Sequence, residues 1–249
     1  MAGCGKHFLA NAICSELGAT MFDLSPANIA GKYEGKAGKD MLIHLINKVS
    51  KLLQPSVIFI DGAEKPFYKK VPKEEKGMEP KNLAKLLPKI TKAITKDDQV
   101  LVLGISQQPW AAKPRPMMKT YNKFILVPRP DYGNTYYYWF QTLMNYHSVN
   151  RDLDISSLAK LTQGYSIAAI KDAVKKVMTD RRIIDQVNRP LTPQELFEAL
   201  IDVKPISKDD EAKYFTWFNK ITPLGRKLTK FLTEQALLKE REQKLKKKT

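Results

Sequence analysis

The chain has 249 residues, 43% of them hydrophobic, with 42 Lys and Arg against 26 Asp and Glu for a formal net charge of +16. That is enough chain for one large or two small domains with a real core, and the composition excludes a disordered polymer. The positive excess fits either an acidic partner or simply a solvated Lys-rich end. Two cysteines, Cys4 and Cys14, make neither a disulfide framework nor a zinc site, so a reducing compartment is expected, and no stretch approaches a membrane span.

The chain opens Met1-Ala2-Gly3-Cys4-Gly5-Lys6-His7. Gly-x-Gly-Lys at the start of a helix is the end of a phosphate-binding loop, where backbone N–H groups and a Lys cradle the phosphates of a nucleotide. The motif lacks its opening Gly and the strand that should feed it. This predicts a fragment of a longer protein, or a domain that folds with help from another segment, because a sheet without its central strand leaves ladder groups unpaired. His7 stands where Ser or Thr would hold Mg²⁺.

Helical spacing of Phe8, Leu9, Ala12, Ile13 and Leu17 predicts a helix over 6–17 that stops at Gly18. A strand over 20–24, a Ser25-Pro26 helix start and a glycine-rich loop at 31–35 follow. Met41, Leu42, Leu45, Ile46, Val49, Leu52 and Leu53 mark a second helix closed by Pro55. Val57-Ile58-Phe59-Ile60-Asp61 is an apolar run ending in a carboxylate, as in a strand buried on both faces of a parallel sheet. The Lys-rich stretch 65–81 reads as an exposed loop, Leu83 to Ile94 as an amphipathic helix, and 100–104 and 124–127 as two more buried strands. Strands alternating with helices predict βαβ units with helices on both faces.

After Pro130 the strand signals stop. Helices are expected over 134–146, 155–161, 166–184 and 193–203, the last opened by a Thr192-Pro193-Gln194-Glu195 capping box. Beyond Pro205, Ser207 begins a helix carrying Phe215, Trp217 and Phe218. Thr222 to Gly225 breaks it, and a last helix follows in a segment, 226–249, with nine Lys or Arg against three Glu, a net of +6. His44 and His147 are lone and read as structural.

The order of motifs, Gly-Cys-Gly-Lys, then Val-Ile-Phe-Ile-Asp about fifty residues later, then Val-Leu-Val-Leu-Gly, then a helical lid, resembles the AAA ATPase module over residues 1 to about 203. The resemblance implies a large α/β subdomain at 1–130 lacking its first strand, a helical lid at 131–205 and a basic helical extension at 206–249. It implies ATP or ADP as cofactor, with Mg²⁺ held by Asp61, and contacts from Gly3, Cys4, Gly5, Lys6, His7, Gln107 and Gly164. The family places its catalytic Glu directly after the Asp. Here that position is Gly62 and the nearest carboxylate is Glu64, so Asp61 and Glu64 are the candidate catalytic pair.

Gln107 stands at the family's sensor Asn, Thr120 and Lys123 at its arginine fingers, and Tyr33 resembles its pore-loop aromatic, though a surface aromatic is the simpler reading of Tyr33. Losing one catalytic base or donor lowers rate by about 10²–10⁴, and an arginine finger by about 10³–10⁵. The sequence therefore reads as a degenerate nucleotide-binding module, with an active ring-forming ATPase that remodels a polypeptide or a microtubule partner as the alternative.

Asn28-Ile29-Ala30-Gly31-Lys32-Tyr33, Gln54-Pro55-Ser56-Val57, Phe67-Tyr68-Lys69-Lys70-Val71-Pro72 and Ile125 to Tyr132 resemble the IQ-motif and AAA-domain proteins of motile cilia, a group that includes the eleventh subunit of the nexin–dynein regulatory complex. This implies a cytoplasmic, cytoskeletal location in the ciliary or flagellar axoneme and partners in the doublet-microtubule linker. The basic tail would meet acidic tubulin, and calmodulin would bind only a region upstream of Met1. Neither a membrane nor a nucleic acid is expected as partner, since the charge is mostly Lys without interleaved aromatics.

Overall fold

The computed structural model describes residues 1–246 apart from Tyr33, Glu34, Glu79, Pro80 and Lys96. The pore-loop reading of Tyr33 thus lies outside the described residues. The chain divides into two compact units, His7–Leu126 with Tyr214–Thr249, and Met1–Lys6 with Val127–Lys213.

The α/β unit is built on three parallel strands, β1 (Thr20–Asp23), β2 (Ser56–Asp61) and β3 (Val100–Ile105), in that spatial order. β2 is central, with Ile58 paired to both Phe22 and Val102. Its continuous apolar run is buried because helices cover both faces. α1 (Lys6–Glu16) precedes β1, α2 (Pro26–Ile29) and α3 (Gly35–Leu52) lie between β1 and β2, α4 (Asn82–Ala93) lies between β2 and β3, and α5 (Pro114–Thr120) follows β3. Leu42 and Ile46 of α3 and Leu83, Leu86, Leu87 and Ile90 of α4 pack with Ile58 and Ile60. The period-2 pleat turns Phe59 to the opposite face, where it meets Ala10 of α1 and Ile105.

Two expectations for this unit need correction. Residues 124–127 are not a strand, and Ile125 is 83% exposed. Local apolar character cannot make a strand without a ladder partner, and among the described residues the sheet ends at β3. The 65–81 stretch is not exposed throughout: Lys65–Phe67 is a 3₁₀ turn, and Phe67 and Tyr68 are buried. Tyr68 bridges antiparallel to Ala112, and the Phe67 carbonyl accepts from Lys113 N at 2.8 Å.

The helical unit comprises α6 (Tyr132–Met144), α7 (Ile155–Leu161), α8 (Ile167–Val177), α9 (Asp180–Ile184) and α10 (Pro193–Glu198) around Trp139, Leu143, Leu158, Ile170, Val174 and Leu196. Asp131, Asp154, Ser166 and Thr179 each cap a helix by accepting a backbone N–H three residues on. The Thr179 cap is why 166–184 is two helices rather than one. The capping box at Thr192 does not form. Arg182 instead forks onto Glu195 through Nε and Nη2, both at 3.0 Å, and a bidentate guanidinium outcompetes a single amide.

α11 (Lys208–Ile221) and α12 (Pro223–Lys246) complete the chain. Ser207 Oγ accepts from Asp209 N at 3.1 Å, Phe218 is buried, and Trp217 packs edge-on against Phe124 at 6.1 Å between ring centroids. Residues 226–236 of α12 are exposed at every position. No described helix is long and apolar enough to cross a membrane.

Candidate functional site

The carboxyl ends of parallel strands are where open α/β sheets gather ligand-binding groups. Asp61 ends β2 there. Its backbone N–H donates to Ser25 Oγ at 2.8 Å, and the Ser25 hydroxyl donates in turn to Asp23 Oδ1, whose carboxylate also takes Asn28 Nδ2 at 2.7 Å. Ser25 thus links the ends of β1 and β2, which is why it does not cap α2 with its side chain. The sequence reading missed this role. The available signal was a hydroxyl two residues beyond the last residue of a strand, directly beside the Asp61 strand.

Gly62 N donates to Asp61 Oδ1 at 2.9 Å from a left-handed backbone with φ +67°, a conformation that favours Gly over the family's Glu. His7 Nε2 lies 3.7 Å from the same Oδ1, with the two side chains 57% and 41% exposed. The His7 ring tilts against Phe59 at 6.0 Å between centroids.

Glu64 is buried, 2% exposed. Its Oε1 accepts from Gln107 N at 3.1 Å and Gln108 N at 3.0 Å, and its Oε2 is buried with no hydrogen-bond partner. The Gln107 carbonyl accepts from Tyr214 OH at 2.5 Å. The loop after β3 is therefore held at its backbone on two sides, while the Gln107 residue itself is exposed. Tyr121 OH is likewise buried without a partner, and burial followed by the nearby Glu64 charge pushes its pKa above the ordinary tyrosine value. Thr120, expected from the resemblance at an arginine-finger position, is buried and donates to the Pro116 carbonyl at 3.2 Å, whereas Lys123 is exposed.

The glycine loop belongs to the helical unit. Gly3 and Gly5 have φ of +69° and +84°, and a Cβ on Gly3 would stand 2.7 Å from Ser166 Oγ. The Gly3 carbonyl accepts from Ala168 N at 3.0 Å, tying the loop to the first turn of α8. Lys6 Nζ donates to the Met1 carbonyl. Burial, ahead of any charge effect, raises the Cys4 thiol pKa above its ordinary value. Gly164, with φ +102°, accepts from Ile206 N at 2.9 Å. Gly3, Cys4, Gly5, Lys6, Gly164 and Ser166 lie in one unit, and His7, Asp61, Glu64 and Gln107 in the other.

The model of the ATPase family associated with various cellular activities (AAA) matches residues 1–129. The chain belongs to the AAA family. It is 42% identical over 238 residues to mouse dynein regulatory complex protein 11, spanning 93% of this chain and 28% of that protein. It is 27% identical over 240 residues to the katanin p60 ATPase-containing subunit A1 of Strongylocentrotus purpuratus, spanning 88% of this chain and 46% of the relative. The chain therefore spans less than half the length of these relatives. The AAA domain of FIGL-1, solved in complex with ADP, superposes with a TM-score of 0.65 at 21% identity over 89% of this chain and 76% of that one. That likeness shows the fold, a parallel α/β sheet of AAA type.

The loop fits the phosphates of a nucleotide. Two left-handed glycines let successive N–H groups converge, and the Lys6 ammonium, now satisfied by a carbonyl on its own loop, is a donor that a phosphate oxygen can take over. Mg²⁺ fits less well. It is a hard ion that wants oxygen in near-octahedral array, and the residue beside Asp61 offers an imidazole nitrogen.

Proposed function

We propose that this chain is a nucleotide-binding AAA module that serves as a structural or regulatory component of the ciliary or flagellar axoneme, within a nexin–dynein-type linker, with little or no ATP hydrolysis. Similarity to dynein regulatory complex protein 11 supports the location and the kind of partner. ATP or ADP would be held by the backbone of Gly3 to Gly5 and by Lys6. Partners would be proteins of the doublet-microtubule linker, and the basic α12 would face an acidic surface such as tubulin. Any calmodulin contact would need a region other than this chain.

The observation that carries the low-hydrolysis reading is Glu64. A general base for the attacking water needs a free carboxylate oxygen within reach of that water. Glu64 has one oxygen occupied by two backbone N–H groups and the other buried, while Gly62 fills the position of the family's Glu. Bound nucleotide released by denaturation and identified by mass spectrometry should be stoichiometric in the wild type and absent in Lys6→Ala. Steady-state turnover of about 1 s⁻¹ or more, abolished by Lys6→Ala, would sink the scaffold reading in favour of an active ring-forming ATPase.

A further inference from the structure

The outer face of α6 is the strongest unassigned surface in the molecule, and it lies wholly within the unit that holds Val127–Lys213. In a chain that is 27% charged, Tyr132–Met144 includes no Asp, Glu, Lys or Arg. Tyr132, Tyr136 and Phe140, each one helical turn from the next, are exposed, and Tyr137 beside them is 63% exposed. A single exposed ring means little, but four on one uncharged helix mark a contact surface.

The rings are ordered before any partner arrives. Tyr132 and Tyr136 stand 6.3 Å apart between centroids, Tyr136 and Phe140 stand 6.5 Å apart and nearly parallel, and the Tyr132 hydroxyl shares a 3.1 Å hydrogen bond with Ser156 Oγ. Side chains that already hold one another lose little freedom on binding. The row runs into a cavity of about 370 Å³ lined by Phe140, Met144, Tyr146, His147, Val149 and Arg151, a volume within the usual range of a ligand site. Phe140 belongs to both.

The lining selects the occupant. Phe140, Met144, Tyr146 and Val149 offer apolar walls to branched or aromatic side chains. Arg151 is exposed, makes no ion pair among the described residues, and shares the cavity with no carboxylate. An apolar segment that carries an acid answers both demands. A second copy of the chain fits less well: a two-fold contact sets the same face against itself, and neither α6 nor the cavity lining has a carboxylate to meet the other copy's Arg151.

We infer that the Tyr132, Tyr136 and Phe140 row and the cavity at its end form a docking site for a polypeptide segment of a partner protein. That segment lays aromatic or branched apolar residues over the rings and into the cavity and sets an Asp or Glu against Arg151. The composition is that of an interface centre, where Tyr, Phe, Met and Arg are enriched and Lys and carboxylates depleted.

A phage-displayed library of random linear peptides, panned on the full chain, reads the occupant's chemistry. Selected peptides should pair aromatic or branched apolar residues with a nearby Asp or Glu. Their synthetic copies, followed by fluorescence polarisation, should bind Phe140→Ala and Arg151→Glu about tenfold or more weakly than wild type. Panning on Arg151→Glu should select Lys or Arg in place of the acid, an outcome that misfolding cannot produce. No enrichment on wild type, or peptides that bind wild type and Arg151→Glu equally, would overturn the assignment. So would a dimer in sedimentation equilibrium that Phe140→Asp converts to monomer, since the face would then be a contact between copies.

Discussion

Replacing Glu64 separates a clamp from a catalyst. In the structure Glu64 Oε1 accepts two backbone N–H groups from the loop after β3, at 3.1 and 3.0 Å. Each such bond contributes about 1–1.5 kcal/mol, held to the lower range because Gln107 and Gln108 are exposed and their N–H groups can regain water. Glu64→Ala should therefore destabilise the protein by about 2–3 kcal/mol. Glu64→Gln, which keeps an acceptor oxygen in the same place, should lose no more than about 1 kcal/mol. Urea denaturation followed by circular dichroism reads both, and a coupled assay reads ATP turnover in parallel. A cost for Glu64→Ala below about 0.5 kcal/mol would refute the clamp. Retained stability in Glu64→Gln together with loss of a measurable wild-type turnover would make Glu64 the general base after all.

Two further outcomes follow from the packing. Gly→Ala inside a helix ordinarily stabilises by about 1 kcal/mol, yet Gly225→Ala should destabilise. Its Cβ would stand 2.3 Å from the Phe218 carbonyl oxygen, so α11 and α12 would have to part, and hydrogen exchange of 218–226 should quicken. The Arg182 hydrogen bond holds the Glu195 carboxyl below its ordinary pKa, and the contribution of a group so depressed is present above that ordinary value and lost as pH falls through the folded one. Arg182→Lys, which gives up the fork, should therefore cost about 1–2 kcal/mol at pH 7, and its difference from wild type should shrink on acidification below the usual carboxylate range, as read by thermal unfolding at stepped pH.

What sequence alone determined is what short-range periodicity and chain stiffness control. The three strands of the parallel sheet, the helices around them and the run of helices after Pro130 follow from residues within a few positions of one another. The order of those elements was enough to read the AAA fold. What only the tertiary structure decided are the choices in which a polar group had two suitors or a strand needed a neighbour. Ser25, an evident N-cap by its position before Pro26, instead accepts from Asp61 N, 36 residues away, which satisfies the last amide of β2. Glu195 leaves Thr192's capping box for Arg182, and Glu64 takes the amides of Gln107 and Gln108. The run 124–127 has every local mark of a strand and is none, since a ladder bond requires a partner that local sequence does not supply. The pair His7 and Asp61 belongs to both levels: sequence placed an imidazole where a hydroxyl is expected, and only folding set it 3.7 Å from the carboxylate.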